Sequence, residues 1–428
     1  MHGLNYIALA IPVFFVLMGV EYAASRWLEK DVYRLNDSLA DLHTGVFQQV
    51  LGIFFKTVVF GAYVAVWDRW RLLELSPASA WVWVLCALAV DHQYYWFHRV
   101  SHECNLPWGA HIVHHSSEEY NLSVALRQSA LQPLFSWIFY LPLAWMGFPP
   151  LVFFANASLN TLYQFWIHTR LIGKLGPLEA VLNTPSHHRV HHGCDEKYID
   201  KNYAGVLIVF DRLYGSFQPE EEEPTYGVTK PVASWNPVTA HVHHFVEVLR
   251  MGRRAPSPGE WLKMWWKPPG WKPAWAPEGA GALPLVSPLS HGAAGKYDAR
   301  PPWGLAAYGL VQFFLVIAAT LLLLFREGEL ASWQRVGLAL WILWTCTNLG
   351  GLFDRRAWVL PGEMARLAAG PVFATAWLAG SRSELVAWVI LAGMLSFGAA
   401  GAWLLSYRAA LDRRGSARAA RLESTAGG

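Results

Sequence analysis

The stretch His98-Arg99-Val100-Ser101-His102 places two histidines four positions apart, and related clusters follow along the chain. Positions i and i+4, or i, i+3 and i+4, share one face of an α-helix, so each cluster can direct two or three imidazoles at one point. The spacing therefore predicts helices that carry metal ligands. The other clusters are His111-Ile112-Val113-His114-His115 and His187-His188-Arg189-Val190-His191-His192, with His168 alone between them.

The composition of the chain indicates which metals such clusters would hold. The four cysteines stand far apart and form no C-x-x-C pair, which excludes both a cysteine metal site and a disulfide framework. Nitrogen-rich ligation suits iron, copper, nickel or zinc. A tetrahedral site needs only about four ligands, so the histidines of the clusters are numerous enough for two metals.

The remaining histidines carry weaker signals. A single histidine on a partly apolar helix is usually a satisfied core or interface residue, and this is the interpretation for His2, His43, His92 and His291. The cluster His241-Val242-His243-His244 leaves three roles open: metal ligand, support for a ligand, or surface residue.

Long apolar segments indicate a membrane protein. The chain has 428 residues, of which 54% are hydrophobic and 24 are tryptophan, and its mean hydropathy is positive. The first segment lacks the basic start and cleavage site of a signal peptide, so we expect it to be retained. Segments of spanning length are 4–20, 46–67, 79–97, 303–325, 333–352, 364–380 and 384–407. Residues 130–167, broken at Gly147-Phe148-Pro149-Pro150, predict a helical hairpin whose arms cross most or all of the bilayer.

Basic residues orient these segments. Arg26, Lys30 and Arg34 follow the first span, and arginines crowd the C-terminal tail, which favours the cytosol for both. Counting spans from there puts His98 and the ends of the hairpin on the cytosolic side. The fold class is therefore predicted as all-α, a multi-span membrane helical bundle with a cytosol-facing, histidine-rich di-metal cap. The net charge of +3 and the absence of a basic stripe argue against a nucleic-acid partner.

Three regions follow from this pattern. Residues 1–250 hold every histidine cluster and are predicted to be the catalytic membrane domain. Residues 251–302 contain ten prolines with tryptophan and lysine, which favours an interfacial strap over the alternative of a disordered linker. Residues 303–428 predict a four-span accessory bundle with a basic tail. We expect the carboxylates Glu327, Asp354, Glu363 and Glu384 at loops or span ends, and Glu220 to Glu223 in a solvated turn.

The order HxxxH, HxxHH, HxxHH on a multi-span protein resembles the fatty acid hydroxylase/sterol desaturase superfamily of membrane di-iron oxygenases. Longer strings resemble its branch of glyceryl-ether (alkylglycerol) monooxygenases, which use tetrahydrobiopterin. These strings run from Trp108 to Ser129, Tyr163 to Thr169, Asn183 to Gly193 and Ile199 to Ile208. The histidine boxes alone specify only the superfamily.

The resemblance implies a set of site residues. Glu103 matches a glutamate characteristic of the branch and is the candidate for handling the pterin and for catalysis; the alternative is a carboxylate that orients a ligand imidazole. Gln164 stands where other branches have a histidine, so one metal would have fewer nitrogen ligands. His187 points about 100° away from its neighbour on a helix and is a weaker candidate. The implied ligands of two iron ions are His98, His102, His111, His114, His115, His188, His191 and His192, with His168 as a ninth. Zinc could replace iron in a purified sample.

The resemblance also implies a reaction. An O2-dependent monooxygenase would hydroxylate the carbon next to the ether oxygen of an alkylglycerol lipid taken from the bilayer, giving a fatty aldehyde and a glycerol derivative. The alternative is a hydroxylase or desaturase of a sterol, fatty acyl or carotenoid lipid. A different class is a membrane protein that stores or senses a metal. The excess of arginine over lysine favours a bacterial inner membrane, and a eukaryotic source would imply the endoplasmic reticulum.

Overall fold

The computed structural model describes residues 6–276, 295–378 and 383–412. Across these residues the regular structure is helical, with no β-strand and two isolated β-bridges. The all-α prediction is therefore confirmed. The chain divides into two compact units, one formed by Met1–Ala233 with Ala240–Tyr297 and the other by Ser234–Thr239 with Asp298–Gly428.

The helices before residue 277 range from 4 to 36 residues in length, and the histidine clusters lie on or directly beside them. A 3-10 turn at Gly176–Ala180 precedes the third histidine cluster. The helices are α1 (Tyr6–Trp27), α2 (Leu35–Trp70), α3 (Ala80–Glu103), α4 (Asn105–His115), α5 (Leu122–Ala125), α6 (Pro133–Met146), α7 (Pro150–Trp166), α8 (Pro185–His191), α9 (Val209–Tyr214), α10 (Pro237–Gly252) and α11 (Pro258–Trp266).

The predicted hairpin of residues 130–167 consists of α6 and α7, which pack against α2 and α3. The ring of Tyr63 stacks on Phe153 at 4.1 Å, and its hydroxyl donates to the carbonyl of Phe148. Gly147 closes the turn at φ 106°, where a Cβ would lie 2.0 Å from the carbonyl oxygen of Leu73. Only glycine fits this turn, because a side chain would collide with backbone. The arms are about 21 Å and about 26 Å long, so neither reaches across a hydrocarbon core of about 30 Å.

Helices form at every predicted span, but they differ in polarity. The helices at 80–103 and 359–377 do not match the apolar character of the others, because they carry polar and charged residues such as Asp91 and Glu363. Within the described part of the chain, four helices are long and apolar enough to cross a membrane: Leu9–Trp27, Trp303–Arg326, Ser332–Phe353 and Val386–Ser406. Leu35–Phe55 and Val58–Trp70, bent by 45°, make a fifth if they count as one span.

The second unit contains four long helices that pack in sequence order. Two of its carboxylates are buried, although Asp354 directly follows its helix, at a span end as expected. Glu363 is fully buried with Arg366, and Asp354 is buried where it accepts a hydrogen bond from the Trp235 amide at 2.8 Å. Its helices are α12 (Trp303–Arg326), α13 (Ser332–Phe353), α14 (Val359–Trp377), α15 (Ser383–Ser406) and α16 (Arg408–Asp412).

The proline-rich region begins as ordered structure in the first unit. Helix α11 packs against α4, where the Asn105 amide donates to the Lys267 carbonyl at 2.9 Å and the Asn105 side chain donates to the Met264 carbonyl at 2.9 Å. A disordered linker is therefore excluded for 258–268. Residues 277–294, with His291, lie outside the described residues, as do His2 and residues 413–428 of the basic tail.

Candidate metal centre

Nine histidines from three helices and two loop positions form two adjacent groups. Within each group the candidate ligand atoms lie within 4.8 Å of one another, and no member is more than 5% exposed. The groups meet where the rings of His115 and His192 stack at 4.4 Å. The first group is His98, His102, His111, His115 and His191, and the second is His114, His168, His188 and His192. Every histidine predicted as a ligand is thus in one of the two groups.

The protonation pattern of the second group fits a cation. The Nδ1–H of His114 donates to the Arg127 carbonyl at 2.9 Å, and the Nδ1–H of His168 donates to the Gln164 carbonyl at 2.7 Å. A neutral imidazole has one N–H, so both Nε2 atoms carry lone pairs. These Nε2 atoms face each other at 3.3 Å. Two lone pairs repel unless a cation joins them, and nitrogens bound at about 2.1 Å to one ion lie roughly 3 Å apart at a right angle.

Unpartnered nitrogens lead to the same conclusion. The Nε2 atoms of His102, His191 and His192 are buried without a hydrogen-bond partner. A buried polar atom left in this state costs about 1–3 kcal/mol, whereas a metal ion would use each lone pair. The residues therefore fit two nitrogen-liganded metal ions.

Burial keeps these imidazoles ready for metal binding. It lowers the pKa of His114 to about 4, and it also lowers the pKa values of His111, His115 and His168. A protonated imidazole has no lone pair for a metal. These four imidazoles are therefore neutral, and competent to bind metal, at pH 7.

Residues 200–203 orient three histidines of the first group. The Lys201 carbonyl accepts from His191 Nδ1 at 2.9 Å, and the Tyr203 carbonyl accepts from His98 Nδ1 at 2.7 Å. A carboxylate oxygen of Asp200 lies 3.4 Å from His102 Nδ1. Groups of this kind fix the direction of metal-binding imidazoles. The amino-acid sequence carries one signal for this segment, the Asp200-x-Asn202 pattern, which is typical of tight turns.

Positive backbone φ angles shape this segment, which we call the 200–203 turn. Asp200 has φ 57° and Asn202 has φ 55°, a region that Asp and Asn tolerate better than other side chains. The side-chain amide of Asn202 donates to the His187 carbonyl at 3.1 Å and to the Gln218 carbonyl at 2.8 Å. Asp211 accepts from the Tyr203 amide at 2.7 Å. Asn202 and Asp211 are both buried. Hydrogen bonds from several segments of the chain therefore hold the turn in place.

Two buried arginines support the second group. Arg127, whose carbonyl orients His114, donates to Asp41 at 3.1 Å and to the Val113 carbonyl at 2.6 Å. Arg189 makes a two-pronged contact with Glu220 at 2.6 and 2.7 Å. The side chain of Glu220 is only 11% exposed. Glu221, Glu222 and Glu223 are more than half exposed, as expected for a solvated turn. For Glu220 that interpretation was wrong, because its partner Arg189 is buried.

Other candidates lie outside the two groups. Glu103 has a 45% exposed side chain that accepts from Arg99 at 2.9 Å. His187 packs beside Phe217, with ring centroids 5.4 Å apart. His244 Nε2 lies 3.1 Å from the Asn105 side-chain oxygen. The Gln164 side chain donates to Asn160 at 2.8 Å, so it is engaged away from the metal groups.

A cavity of about 600 Å³ in the first unit reaches the histidines. Four members of the metal groups line it, together with apolar side chains such as Trp108 and Ile112. His243 and His244 also belong to its wall. The cavity could therefore admit a ligand to the metal centre.

Comparison with known proteins shows the family. The fatty acid hydroxylase family model matches residues 83–216. Alkylglycerol monooxygenase of Xenopus tropicalis is 41% identical over 82% of this chain and 78% of its own length. The chain belongs to the alkylglycerol monooxygenase family. The human family member is 40% identical over the same shares. Ornithine lipid hydroxylase OlsE of Rhizobium tropici is 28% identical over 35% of this chain and 46% of its own length. No solved structure matches the chain.

Membership of the alkylglycerol monooxygenase family confirms several predictions at a coarse level. The chain is an enzyme, a lipid monooxygenase with an O2-dependent reaction, and a multi-pass membrane protein. Its histidine groups fit a metal site.

Proposed function

We propose that this chain is a di-iron membrane monooxygenase that hydroxylates the carbon next to the ether oxygen of alkylglycerol-type lipids. The observation that supports this proposal most strongly is the arrangement of nine buried histidines in two groups of five and four. The similarity to alkylglycerol monooxygenases over most of the chain supports the choice of substrate. Two iron ions, when bound, would activate O2, chemistry that side chains alone do not supply.

The proposed reaction requires a two-electron donor. The lipid, O2, two electrons and two protons give the hydroxylated ether and water. The hydroxylated ether is a hemiacetal, which separates into a fatty aldehyde and a glycerol derivative. Tetrahydrobiopterin is the proposed donor, with Glu103 as the residue that handles it. Zinc would take the same imidazoles in a sample purified without iron.

The chain's own residues hold and enclose this centre. The histidine Nε2 atoms provide ligands, and the carbonyls of Arg127, Lys201 and Tyr203 keep the rings aligned. Burial excludes bulk water from the reacting carbon, which protects a reactive oxidant from side reactions.

The proposal extends to the organisation of the chain. Residues 1–250 form the oxygenase domain, 251–302 an interfacial strap, and 303–428 an accessory four-span bundle with a basic tail. The metal site faces the cytosol of a bacterial inner membrane, or the cytosolic side of the endoplasmic reticulum in a eukaryote. The basic residues beside the first span support this orientation.

The decisive experiment combines metal analysis with lipid turnover. Full-length protein from iron-supplemented cells should contain close to two metal ions per chain. With O2 and tetrahydrobiopterin it should convert a labelled alkylglycerol to labelled fatty aldehyde. One metal ion or none, reproducibly, would contradict the di-metal site. Oxidation of a sterol, fatty acyl or carotenoid lipid instead would favour the alternative function, a hydroxylase or desaturase of such a lipid. The similarity to an ornithine lipid hydroxylase is the observation that supports this alternative.

A further inference from the structure

The end of α10, helix α11 and the residues after it form a strongly basic stretch, which we call the basic strap (residues 250–276). It has six basic residues against the single carboxylate of Glu260, a formal charge of +5, whereas the whole chain has a net charge of +3. Five tryptophans lie in the same stretch. The strap alone therefore carries more positive charge than the chain as a whole. Its basic residues are Arg250, Arg253, Arg254, Lys263, Lys267 and Lys272.

One face of α11 is exposed and mixes apolar and basic side chains. Leu262 is 52% exposed and Trp266, one turn later, is 68% exposed. Lys263 lies on the same face of the helix, and its side chain is also exposed. The opposite face is packed, with Met264 fully buried. Amphipathic helices of this composition lie in the membrane interface, where apolar side chains insert and cations remain among the headgroups.

The arginines that precede α11 have charge to offer a partner. Arg250, Arg253 and Arg254 are exposed, and none of them forms an ion pair within the part of the chain that the structure describes. Lys263, in contrast, pairs with Glu260 at 3.2 Å. Guanidinium groups bind phosphate through two parallel hydrogen bonds. Clusters of roughly four to eight basic residues on an amphipathic helix are typical of binding to anionic lipids.

The apolar side chains favour a lipid surface over an acidic protein as the partner. An acidic protein would satisfy the cations, but it would leave no apolar layer for Leu262 and Trp266. Along the chain the strap is followed by the apolar helix Trp303–Arg326, which is long enough to cross a membrane. A bilayer surface is therefore within reach of the strap.

The strap is also bonded to a helix that carries candidate metal ligands. Asn105 begins α4, and its backbone amide donates to the Lys267 carbonyl at 2.9 Å. The Asn105 side chain donates to the Met264 carbonyl at 2.9 Å. The same helix ends with His114 and His115. A strap that is held at the lipid surface therefore restrains the start of the helix whose end provides ligands.

We propose that the basic strap binds anionic lipid headgroups and that this contact steadies α4 with its histidines. The inference rests on the proposed placement of the strap at the membrane surface and adds the chemistry of its partner. The arginines and lysines attract the lipid phosphates, while Leu262 and Trp266 enter the apolar layer below them.

The test uses the iron-loaded, full-length protein in vesicles of phosphatidylcholine with a rising fraction of phosphatidylglycerol. Leu262→Cys carries a fluorescent label, which reacts there selectively because the four native cysteines are buried. Quenching by spin-labelled phosphatidylglycerol is compared with quenching by spin-labelled phosphatidylcholine. We expect the anionic lipid to quench about two- to fivefold more efficiently. The difference should shrink at high salt, because exposed charges are screened.

Two double variants identify the source of this preference. Arg253→Gln with Arg254→Gln removes two unpaired cations from the strap, so the quenching ratio should fall to half or less of its original value. Lys174→Gln with Lys197→Gln is the matched control, because it removes the same charge from exposed lysines of the same unit outside the strap. The control should keep the original ratio. An equal fall in both double variants would overturn the assignment to the strap.

A chelator measures the link to α4. We expect the release of metal to slow severalfold as the fraction of phosphatidylglycerol rises, and this dependence should weaken in the Arg253→Gln, Arg254→Gln variant. A release rate that is independent of the anionic lipid would overturn the link. Circular dichroism of each variant shows that a changed rate does not come from a damaged fold.

The outcomes separate this inference from the proposed function. If both lipids quench the label equally, the strap lies at the membrane surface but its preference for anionic lipid is wrong. If neither lipid quenches the label, the proposed placement of the strap fails as well. Neither measurement uses turnover, so a failure to oxidise an alkylglycerol would overturn the proposed reaction and leave the lipid contact of the strap standing.

Discussion

The two nitrogens of each imidazole have different tasks in the histidine cluster. In His98, His114 and His168 the Nδ1–H donates to a backbone carbonyl, which leaves Nε2 as the lone-pair nitrogen. A backbone carbonyl cannot turn away from its segment as a side chain can, so it fixes the ring direction and the tautomer together. Each of these three rings therefore depends on a backbone carbonyl that a comparison of side chains would overlook.

Removing a single imidazole should disable the centre without disturbing the apolar helices. We expect His102→Ala, His115→Ala and His192→Ala each to lose turnover and to bind fewer metal ions, while the proteins remain inserted in the membrane. Elemental analysis and turnover assays measure this. The control is His92→Ala, on the same helix as His102 but bonded to the Tyr214 hydroxyl at 2.8 Å. A ligand variant with half of the original activity would remove that histidine from the site.

Glu103 tests the role of the reductant. Its carboxylate is half exposed and paired with Arg99, so Glu103→Gln should leave the metal content unchanged. We expect the concentration of tetrahydrobiopterin needed for half-maximal turnover to rise severalfold. The control Glu74→Gln alters a comparable exposed pair with Arg71. If Glu103→Gln instead lost metal at an unchanged pterin requirement, Glu103 would be a support of the cluster and not a pterin residue.

At the scale of elements, the 200–203 turn combines positive φ angles with hydrogen bonds to two sides of the cluster. Asn202 serves both needs, since its side chain donates to two carbonyls and accepts from the Gln218 amide at 2.8 Å. A turn that shifts would move the carbonyls of Lys201 and Tyr203 away from His191 and His98.

Two substitutions at Asn202 separate these contributions. Asn202→Ala loses the hydrogen bonds and strains a backbone at φ 55°, whereas Asn202→Gly loses the bonds alone. Both should weaken metal binding about 10- to 100-fold, with Asn202→Ala additionally lowering stability by about 1 kcal/mol relative to Asn202→Gly. Competition with a chelator and thermal unfolding measure the two effects. Normal metal affinity in Asn202→Gly would show that the hydrogen bonds are dispensable.

The second unit contains a buried polar network across α12, α13 and α14. Glu363 accepts from Tyr308, Asn348 and Arg366, and Arg366 also donates to Gln312 at 2.8 Å. Such a network fixes which helix faces meet, because any other pairing would leave charges unpaired in an apolar environment.

Breaking this network on one side should be costly. Arg366→Met leaves Glu363 without its cation and should destabilise the unit by about 3–5 kcal/mol. The double variant Glu363→Gln, Arg366→Met removes both charges and should recover much of that loss. Denaturation of detergent-solubilised protein measures the difference, and metal content should be unchanged in both. Equal stability of the single and double variants would show that the charges are not coupled.

At the largest scale, the candidate metal ligands all belong to one of the two units. Every member of the two histidine groups lies in the unit that contains residues 1–233 and 240–297. A ligand that binds only the folded state stabilises the part of the protein that holds it. Metal binding should therefore raise the stability of the first unit and leave that of the second unit unchanged.

Chelation should reveal this difference in thermal unfolding. Removal of the metals should lower the midpoint of the transition assigned to the first unit, by several degrees or more, and leave that of the second unit in place. Arg366→Met should do the reverse. Calorimetry with limited proteolysis assigns each transition to its fragments. A single transition that shifts equally with metal and with Arg366→Met would show that the two units unfold together.

The helical class, the apolar segments and the nine histidines now found in two groups could all be predicted from the amino-acid sequence. These features are local. Imidazoles spaced i, i+3 and i+4 share one helix face whatever surrounds the helix, and an apolar segment of spanning length can be recognised from its residues alone. The strings around the histidines also identified the family, because they place particular residues at fixed distances from His114, His168 and His188.

The division of the histidines into groups of five and four, and the groups that orient their rings, depend on tertiary contacts. His98 is aligned by the carbonyl of Tyr203, more than a hundred residues away, and no side-chain pattern encodes a backbone carbonyl. The pairing of Glu220 and Glu363 with buried arginines was missed for the same reason. From the sequence alone, a carboxylate is predicted to be exposed to solvent unless a charged partner can be identified. Arg189 and Arg366 become partners of Glu220 and Glu363 only in the folded chain.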